Sequence, residues 1–243
     1  MSVKLSDLPD ALKNRSTFGF FEDFINDIDA NIVVITATDS GTGAVGDAAR
    51  GVLPLVASDG TVADNDETYA ELPPNEIFLF ANDKPLIFEA RVQFTEANTD
   101  DANVAVGVKD AVAANTILDD GGGPAASYTG AVFFKVDGGT VWQCETSIAG
   151  TQTTTELSAT NANNIAKAAQ TAGGASYQTL RIVFETYSTT NAYVSFFIDG
   201  VLVAQHDFIY TSATEMQAFA GVKNGGANLE TLNVDYIACY QAR

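Results

Sequence analysis

The segment ILDDGGGPAAS, residues 117–127, contains residue types found in both metal-binding and phosphate-binding loops. Asp119 and Asp120 could supply carboxylate oxygens to a calcium ion, with further ligands from elsewhere in the chain. The Lys-Ser/Thr pair that follows the glycines of a phosphate loop is missing, as is the acidic alternation of an EF-hand loop. The sequence therefore favours a long exposed connection between strands. A calcium or glycan loop containing Asp119 and Asp120 is the alternative.

Two further motifs have residue types that can perform catalysis but lack the partners that catalysis needs. DNDET, residues 64–68, has the Asp-x-Asp-x-Thr spacing of phosphoryl-transfer enzymes with an α/β fold. The surrounding pattern here is antiparallel β, which indicates a chance match. His206 is the only histidine, and neither a cysteine at ligand spacing nor a Gly-x-Ser-x-Gly motif accompanies it. We therefore expect His206 to be a hydrogen-bonded histidine near a sheet edge.

Glycoside hydrolysis needs two carboxylates on either side of the scissile bond. Glucanases of the laminarinase type supply them from one strand in a Glu-x-Asp-x-x-Glu pattern, and this sequence has no Glu-x-Asp triplet. The strand-like run LIFEARVQF has Glu89 followed by Arg91, so a second carboxylate is missing there. The sequence therefore predicts no catalytic residue and a protein that is not an enzyme.

Composition sets the broad class of the protein. The chain has 243 residues, 46% of them hydrophobic, and a net charge of −19 from 31 acidic and 12 basic residues. That charge disfavours direct binding to nucleic acids or anionic membranes. No run reaches the roughly 18 apolar residues of a membrane span, and the first residues lack the apolar core of a secretory signal. We expect a soluble protein made in the cytoplasm.

The two cysteines and the first 17 residues each leave two interpretations open. Cys144 and Cys239 lie in strand-like runs, which favours two small buried hydrophobic residues, while a disulfide between them is the alternative. Residues 1–17 are polar and contain Lys4, Lys13 and Arg15. They are predicted to be either a loosely ordered terminus or an arm that contacts a neighbouring subunit.

Hydrophobic patterning from residue 18 onward is typical of β-strands. LIFEARVQF (86–94) and YQTLRIVFETY (177–187) alternate apolar and polar residues, as half-buried strands do. Asp199-Gly200 between two apolar runs predicts a two-residue hairpin turn. About a dozen such strands, bounded by Gly, Asn and Asp, predict two packed antiparallel sheets. We expect one β-sandwich domain over residues 18–243, with residues 161–176 as a surface excursion.

The order of six motifs resembles that of a group of bacteriophage structural proteins with a concanavalin A-like (legume-lectin/glucanase) jelly roll. The motifs are FFEDF (20–24), FEARV (88–92), NVAVGV (103–108), Leu-Arg-Ile (180–182), FFIDG (196–200) and VDYI (234–237). The resemblance covers about residues 18–241. It implies an all-β antiparallel β-sandwich, a role in the virion, and no catalytic residues or cofactor. Lectins of this fold bind sugar beside calcium and manganese, but their ligand set has no match here, so no metal is predicted.

The resemblance implies a capsid decoration or cement (minor head) protein on the outer shell of a phage head. Its partners would be the major capsid protein and neighbouring copies of itself, with Lys4, Lys13 and Arg15 in the contact and no nucleic acid or membrane bound. The alternative is a carbohydrate-binding module on a tail or head fibre that recognises host glycans. It would use Asp119, Asp120 and exposed aromatics, although aromatic residues in alternating strands more often belong to the core. The candidates are Trp142, Tyr128, Phe133, Phe134 and Tyr177.

Overall fold

A computed structural model describes residues 16–38, 41–46, 51–58, 60–73, 75–210 and 214–243. Within these ranges the chain forms β-strands, and no helix is long or apolar enough to cross a membrane. The strands are β1 (Thr17–Glu22), β2 (Val34–Ala37), β3 (Thr42–Gly43), β4 (Leu53–Val56), β5 (Glu67–Leu72), β6 (Phe78–Leu79), β7 (Leu86–Gln93), β8 (Ala102–Lys109), β9 (Gly130–Lys135), β10 (Gln143–Ile148), β11 (Thr151–Glu156), β12 (Gln178–Thr186), β13 (Asn191–Ile198), β14 (Val201–Ile209), β15 (Glu215–Asn224) and β16 (Thr231–Ala242).

The strands form two sheets that pack face to face around one large apolar core. Sheet A has the order β14-β13-β12-β7-β16-β4-β3, and β1 pairs with the C-terminal half of β16. Sheet B has the order β11-β10-β9-β8-β15-β5-β2, and β6 pairs with β15. The described strand pairs are antiparallel. The predicted all-β antiparallel sandwich is confirmed.

Sheet A has one face in the core and one face in solvent. In β7 and β12 every second residue is buried, and the register pairs Ile182 with Phe88 and Phe184 with Leu86. These side chains therefore point together into the core, as the alternation predicted. The predicted hairpin turn between β13 and β14 is also confirmed, because Asp199 and Gly200 both have positive φ, at 50° and 80°.

Three strands of sheet B, β5, β8 and β9, are covered on both faces. Every residue of β5, β8 and β9 is buried, although only alternate residues can face the core. The other face lies under residues 110–129, which connect β8 to β9 and which we call the covering loop. Its Ile117 and Tyr128 pack with residues of sheet B in a second apolar cluster, which includes Tyr69, Phe134 and Phe219.

The expectation that ILDDGGGPAAS is simply an exposed connection is therefore wrong for part of this segment. Asp119, Asp120 and Gly122 are exposed, but Ile117 and Pro124 are buried. The physical reason is the apolar outer face of sheet B, which gains stability when the covering loop removes it from water.

The core contains most of the aromatic residues that were candidates for a sugar-binding face. Trp142 is fully buried, makes edge contacts with Phe94 and Phe133, and donates from Nε1 to Gln178 Oε1 at 2.9 Å. Tyr128 and Phe134 are buried under or beside the covering loop. Their assignment to apolar clusters is confirmed, so these rings are not available to stack on a sugar.

Two other expectations concern the cysteines and residues 161–176. Cys144 and Cys239 are both buried and both free, which confirms the interpretation as small hydrophobic residues. Burial raises the pKa of both thiols. Residues 161–176 contain turns and bends with a single bridge from Thr171 to Val141, and most of them are exposed, so the predicted surface excursion is confirmed.

Candidate functional site

The two aspartates of the sequence-predicted loop have different environments. The Asp119 carboxylate forms an ion pair with the ammonium group of Lys223 on β15, while Asp120 is exposed at a turn with φ of 49°. Among the described residues, no group of three or more His, Cys, Asp or Glu side chains is placed to hold a metal ion. A calcium or glycan role for Asp119 and Asp120 stays a prediction.

The predicted contact residues Lys4, Lys13 and Arg15 lie outside the described residues, so their role also stays a prediction. The DNDET motif is described, and it leads into β5, which pairs antiparallel with β15 and β2. Its context therefore differs from the parallel strand on which the phosphoryl-transfer motif depends.

A buried polar network fixes the covering loop to sheet B. Lys223 Nζ donates to Asn115 Oδ1 at 2.7 Å and to the Ile117 carbonyl oxygen at 3.1 Å, and it lies 3.4 Å from Glu67 Oε2. Glu67 in turn accepts from the Tyr69 hydroxyl at 2.7 Å and from the Asn115 backbone N–H at 2.8 Å. Because both partners of this ion pair are buried and hydrogen-bonded, the loop has a defined position over the sheet.

Gly221 on β15 makes room for the tyrosine of this network. A Cβ atom at residue 221 would lie 1.9 Å from Tyr69 Cδ1, so only glycine allows the ring to lie against this strand. From there the Tyr69 hydroxyl accepts from the Ile117 N–H at 3.1 Å. A glycine inside a strand pattern signals such a close approach, but the sequence does not show what approaches.

A groove opens beside the covering loop, over the outer face of β10 and β11 at the edge of sheet B. It consists of two adjoining hollows of about 230 and 400 Å³ that share Val136 and Gln143. We call it the edge groove. Segments 121–124 and 136–141 form its walls, and side chains of β9, β10 and β11 form its floor: Phe134, Gln143, Glu145, Gln152, Thr154 and Glu156.

The strand register explains why these polar side chains share one face. Gln143 lies directly opposite Glu156, and Glu145 lies directly opposite Thr154. Directly opposed residues of an antiparallel pair project to the same side of a sheet. On β10 and β11 the floor of the edge groove is therefore a row of amide, hydroxyl and carboxyl groups whose backbone is held in the ladder.

Glu145 is the most constrained group on this floor, with only 4% of its surface exposed. Its Oε1 accepts from the Tyr128 hydroxyl and from Gln152 Nε2, both at 2.9 Å, and its Oε2 accepts from the Thr154 hydroxyl at 2.5 Å. Burial raises the pKa of Glu145, and the three hydrogen bonds oppose that rise. Gln152 also donates to the Ala125 carbonyl oxygen at 3.1 Å, which ties the covering loop to the edge strand.

Sequence reasoning missed the edge groove because it missed β11. TQTTTE has no apolar alternation, since its six residues form an edge strand whose positions are exposed except Thr155. The available signal was the two-residue turn Ala149-Gly150, in which both residues have positive φ, at 47° and 87°. Alanine is not a usual residue for this turn, which favours Asn-Gly and Asp-Gly.

His206 lies on the inner face of edge strand β14 and connects the two sheets. Its Nδ1 and Nε2 atoms hydrogen-bond to the hydroxyls of Thr146 and Thr155, each at 3.0 Å. The ring is buried, and this burial lowers the pKa of His206 to about 4. The expectation of a hydrogen-bonded histidine near a sheet edge is confirmed.

We expect His206 to make the protein less stable as the pH falls from 6.5 towards 4. In this range the unfolded chain takes up a proton on His206, whereas the folded protein does not, so protonation favours unfolding. The difference between 6.5 and about 4 corresponds to about 3 kcal/mol. Urea unfolding of the wild type and His206→Gln at several pH values measures it. An identical pH dependence in the two proteins would contradict the assignment.

Comparison with known proteins gives fold relatives only. No family model and no curated protein sequence matches the chain. The carbohydrate recognition domain of Emp47p has 11% identity over 93% of this chain and 95% of that chain, with a TM-score of 0.55. Peanut lectin in complex with a 9mer peptide has 9% identity over 93% and 97%, with a TM-score of 0.57.

An endo-1,3-β-glucanase from Streptomyces sioyaensis is similar to the same extent. It has 12% identity over 93% of this chain and 96% of that chain, with a TM-score of 0.57. Lectins and a glucanase thus share the architecture over nearly the whole chain, while identities this low carry no residue-level correspondence. The protein therefore has the concanavalin A-like jelly-roll fold found in lectins and glucanases.

Proposed function

We propose that this protein binds carbohydrate in the edge groove and does not cleave it. The observation that carries the proposal is the row of polar side chains on the groove floor, with Glu145 fixed by Tyr128, Gln152 and Thr154. Amide and hydroxyl groups both donate to and accept from sugar hydroxyls, and carboxylates accept from them. Side chains that are already held in place lose less conformational entropy when a ligand binds.

The fold relatives support this proposal at the level of architecture. They include a carbohydrate recognition domain and a legume lectin, and the galactose complex of lectin UEA-II has the same fold at a TM-score of 0.51. The site differs from the aromatic face considered in the sequence, because Trp142, Tyr128 and Phe133 are buried. Recognition in the edge groove therefore depends on hydrogen bonds to the hydroxyls of the sugar.

The state of Glu145 supports binding without cleavage. Glu156 lies diagonally from Glu145 across β10 and β11, where residues are about 7–8 Å apart, so two carboxylates do share this face. A glycosidase acid must, however, be free to protonate the leaving oxygen. Both carboxyl oxygens of Glu145 already accept hydrogen bonds from the protein, so neither is presented to a glycosidic bond.

Replacing Gln143 by alanine tests the proposal. Gln143 is half-buried and lines both hollows, and its side-chain amide carries N–H donors and a carbonyl oxygen acceptor for a ligand. A ligand selected from a panel of neutral and charged oligosaccharides is expected to bind at least about tenfold more weakly to Gln143→Ala. Gln205→Ala is the matched control, because Gln205 is an exposed glutamine on the outer face of sheet A.

Two-dimensional NMR titration locates the ligand, and mass spectrometry of the recovered oligosaccharide detects cleavage. Shifts confined to the backbone of β10, β11 and segment 121–124, with an intact oligosaccharide, are the expected result. No binding across the panel, or equal losses in Gln143→Ala and Gln205→Ala, would overturn glycan binding at this groove. Shortened products would show that the protein is an enzyme.

The predicted role as a capsid decoration protein has no support from the comparisons, and the residues on which it depends, Lys4, Lys13 and Arg15, are not described. It stays a prediction, together with its capsid partners and virion location. Glycan binding is compatible with the alternative reading of the sequence, a carbohydrate-binding module.

A further inference from the structure

The outer face of sheet A has an apolar hollow of about 450 Å³ that no described segment covers. Phe21, Ile87 and Tyr240 line it, and each has between 45% and 54% of its surface exposed. The other residues that line it are Glu89, Arg181, Val183 and Ala238. An exposed apolar patch with polar groups around it is typical of an interaction site.

The strand register arranges this face in rows that cross six strands. In each row the neighbouring residues are directly opposed, so their side chains project to the same side of the sheet. One row crosses β14, β13, β12, β7, β16 and β1 in that order. Its members are Leu202, Phe197, Arg181, Glu89, Ala238 and Phe21. The row therefore has an ion pair at its centre and two apolar residues on each side.

The charged side chains in the middle of this face balance one another. Arg181 Nε donates to Glu89 Oε2 at 2.6 Å, and Arg91 forms an ion pair with Asp235 beside it. The chain as a whole has a net charge of −19, so two copies repel each other over most orientations. A face whose charges are paired gives the smallest repulsion when a second copy approaches.

The central row is also complementary to its own reverse. A two-fold axis in the interface, parallel to the strands and between β7 and β12, would place Arg181 of one copy against Glu89 of the other. The same axis would place Phe197 against Ala238, so that a large side chain meets a small one.

The adjoining row has the same property. It contains Ser195, Val183, Ile87 and Tyr240 on β13, β12, β7 and β16. The two-fold axis would place Val183 of one copy against Ile87 of the other, and Ser195 against Tyr240. Both rows therefore combine apolar contact with a match of large and small side chains.

The face is large enough for a stable contact. Six strands and three outward rows cover roughly 29 Å by 20 Å, or about 600 Å² on each copy. Specific interfaces bury at least about 600 Å² on each partner, so this contact is at the lower end of that class. We expect a dissociation constant of about 1–100 μM. Below this concentration the chain is a monomer, and the ion pairs of the face are in solvent.

We propose that two copies of this chain associate through the outer faces of their A sheets, with Arg181 of each copy against Glu89 of the other. The proposal does not depend on glycan binding, because the edge groove lies over the outer face of sheet B. A dimer of this kind keeps both edge grooves on its outside.

Sedimentation equilibrium of the full chain over a range of concentrations is the test. The mass is expected to rise from 25.6 kDa to twice that value. Ile87→Glu places a carboxylate in the apolar part of the contact, and it is expected to weaken association at least about tenfold. Ile165→Glu is the matched control: Ile165 is 45% exposed, Ile87 is 48% exposed, and Ile165 does not line the hollow.

Reversal of the central ion pair tests the two-fold arrangement. Arg181→Glu places carboxylates of the two copies against each other and is expected to weaken association at least about tenfold. Arg181→Glu/Glu89→Arg restores opposite charges within and between the copies, so it should recover most of the lost affinity. A double variant that associates no better than Arg181→Glu would overturn this arrangement.

A full chain that stays monomeric at the highest concentration would overturn the proposal. If removal of residues 1–15 then produced a dimer, that segment would be the occupant of the face. An association that Ile87→Glu and Ile165→Glu weaken equally, or that neither weakens, would have its interface elsewhere and would also overturn the proposal.

Discussion

Replacing Lys223 by methionine is expected to lower the free energy of unfolding by about 3–5 kcal/mol, because the buried Glu67 carboxylate then has no positive partner. The Lys223 side chain is fully buried, and its ammonium group contacts Glu67, Asp119 and Asn115. Methionine fills similar volume, so the loss reports the missing charge and hydrogen bonds rather than a cavity. Urea denaturation followed by tryptophan fluorescence measures it, since Trp142 lies in the core.

The surface pair Arg181–Glu89 supplies the matched control. Arg181 has 45% of its side chain exposed, so Arg181→Met is expected to cost at most about 1 kcal/mol. The double variant Lys223→Met/Glu67→Gln should recover part of the loss, because it removes the unpaired carboxylate as well. A cost for Lys223→Met no larger than that for Arg181→Met would contradict the role of this network.

The same variant is expected to change the covering loop more than the core. Without the Lys223 ammonium, the covering loop loses the bonds that its Asn115, Ile117 and Asp119 make to β15. It keeps the hydrogen bond from the Tyr128 hydroxyl to Glu145 and the one from Gln152 to the Ala125 carbonyl oxygen. Hydrogen exchange should therefore increase in residues 113–119 before it increases in β8 or β9. Segment 121–124 should stay in place, since Gly123 packs on the Phe134 ring.

Sheet A could be predicted from the sequence because one of its faces is in solvent. The alternation in β7 and β12, and the Asp199-Gly200 turn, are local signals that do not depend on distant residues. The Asp-Gly turn sets the register of the first two pairs of its hairpin, before the register shifts between Phe196 and Phe197. In β7 and β12 the apolar alternation fixes which face of each strand is buried.

Sheet B was harder to predict because its outer face is buried by the covering loop. The outward residues of β8 are Asn103, Ala105, Gly107 and Lys109, and all four are buried. The covering loop above sheet B is bonded to Lys223, which is more than 100 residues away along the chain from Asn115. A pattern along one strand has no information about such a contact, so the covering loop was expected to be exposed.

The candidate site depends on the same kind of long-range information. The strand-like run around Cys144 is VWQCET (141–146), and its alternation places Gln143 and Glu145 on one face. The groove also needs β11 beside β10 and segment 121–124 as a wall, and neither of these has a hydrophobic pattern in the sequence. Polar edge strands and glycine loops are positioned by pairing and packing, which single-sequence patterns do not specify.

A second large effect is expected from Glu230→Gln, which should stabilise the protein above pH 7. Glu230 is 1% exposed, and its two carboxyl oxygens accept from the Ala97 N–H at 3.1 and 3.2 Å. Burial, with a smaller contribution from Glu96, raises the pKa of Glu230 to about 7 from an ordinary value of 4.5. The folded protein therefore retains a proton that the unfolded chain releases at lower pH.

The sign of the effect follows from this difference in proton binding. As the pH rises from 4.5 to 7, the unfolded chain binds fewer protons than the folded protein, so the free energy of unfolding falls. The total loss is at most about 3 kcal/mol, and it persists at higher pH because a charged Glu230 stays buried near Glu96 and Asp101. Glutamine keeps an acceptor for the Ala97 N–H and has no charge to bury.

Measurement of unfolding free energy from pH 4 to pH 8 in the wild type and Glu230→Gln isolates this contribution. The unfolding free energies of the two proteins should be nearly equal at pH 4, and the advantage of the variant over the wild type should grow steadily up to pH 7. His206 gives a slope of the opposite sign between pH 4 and 6.5, so the wild-type profile combines both groups. Since His206 is the same in both proteins, subtracting one unfolding free energy from the other removes the contribution of His206. A difference that does not depend on pH would show that folding does not raise the pKa of Glu230.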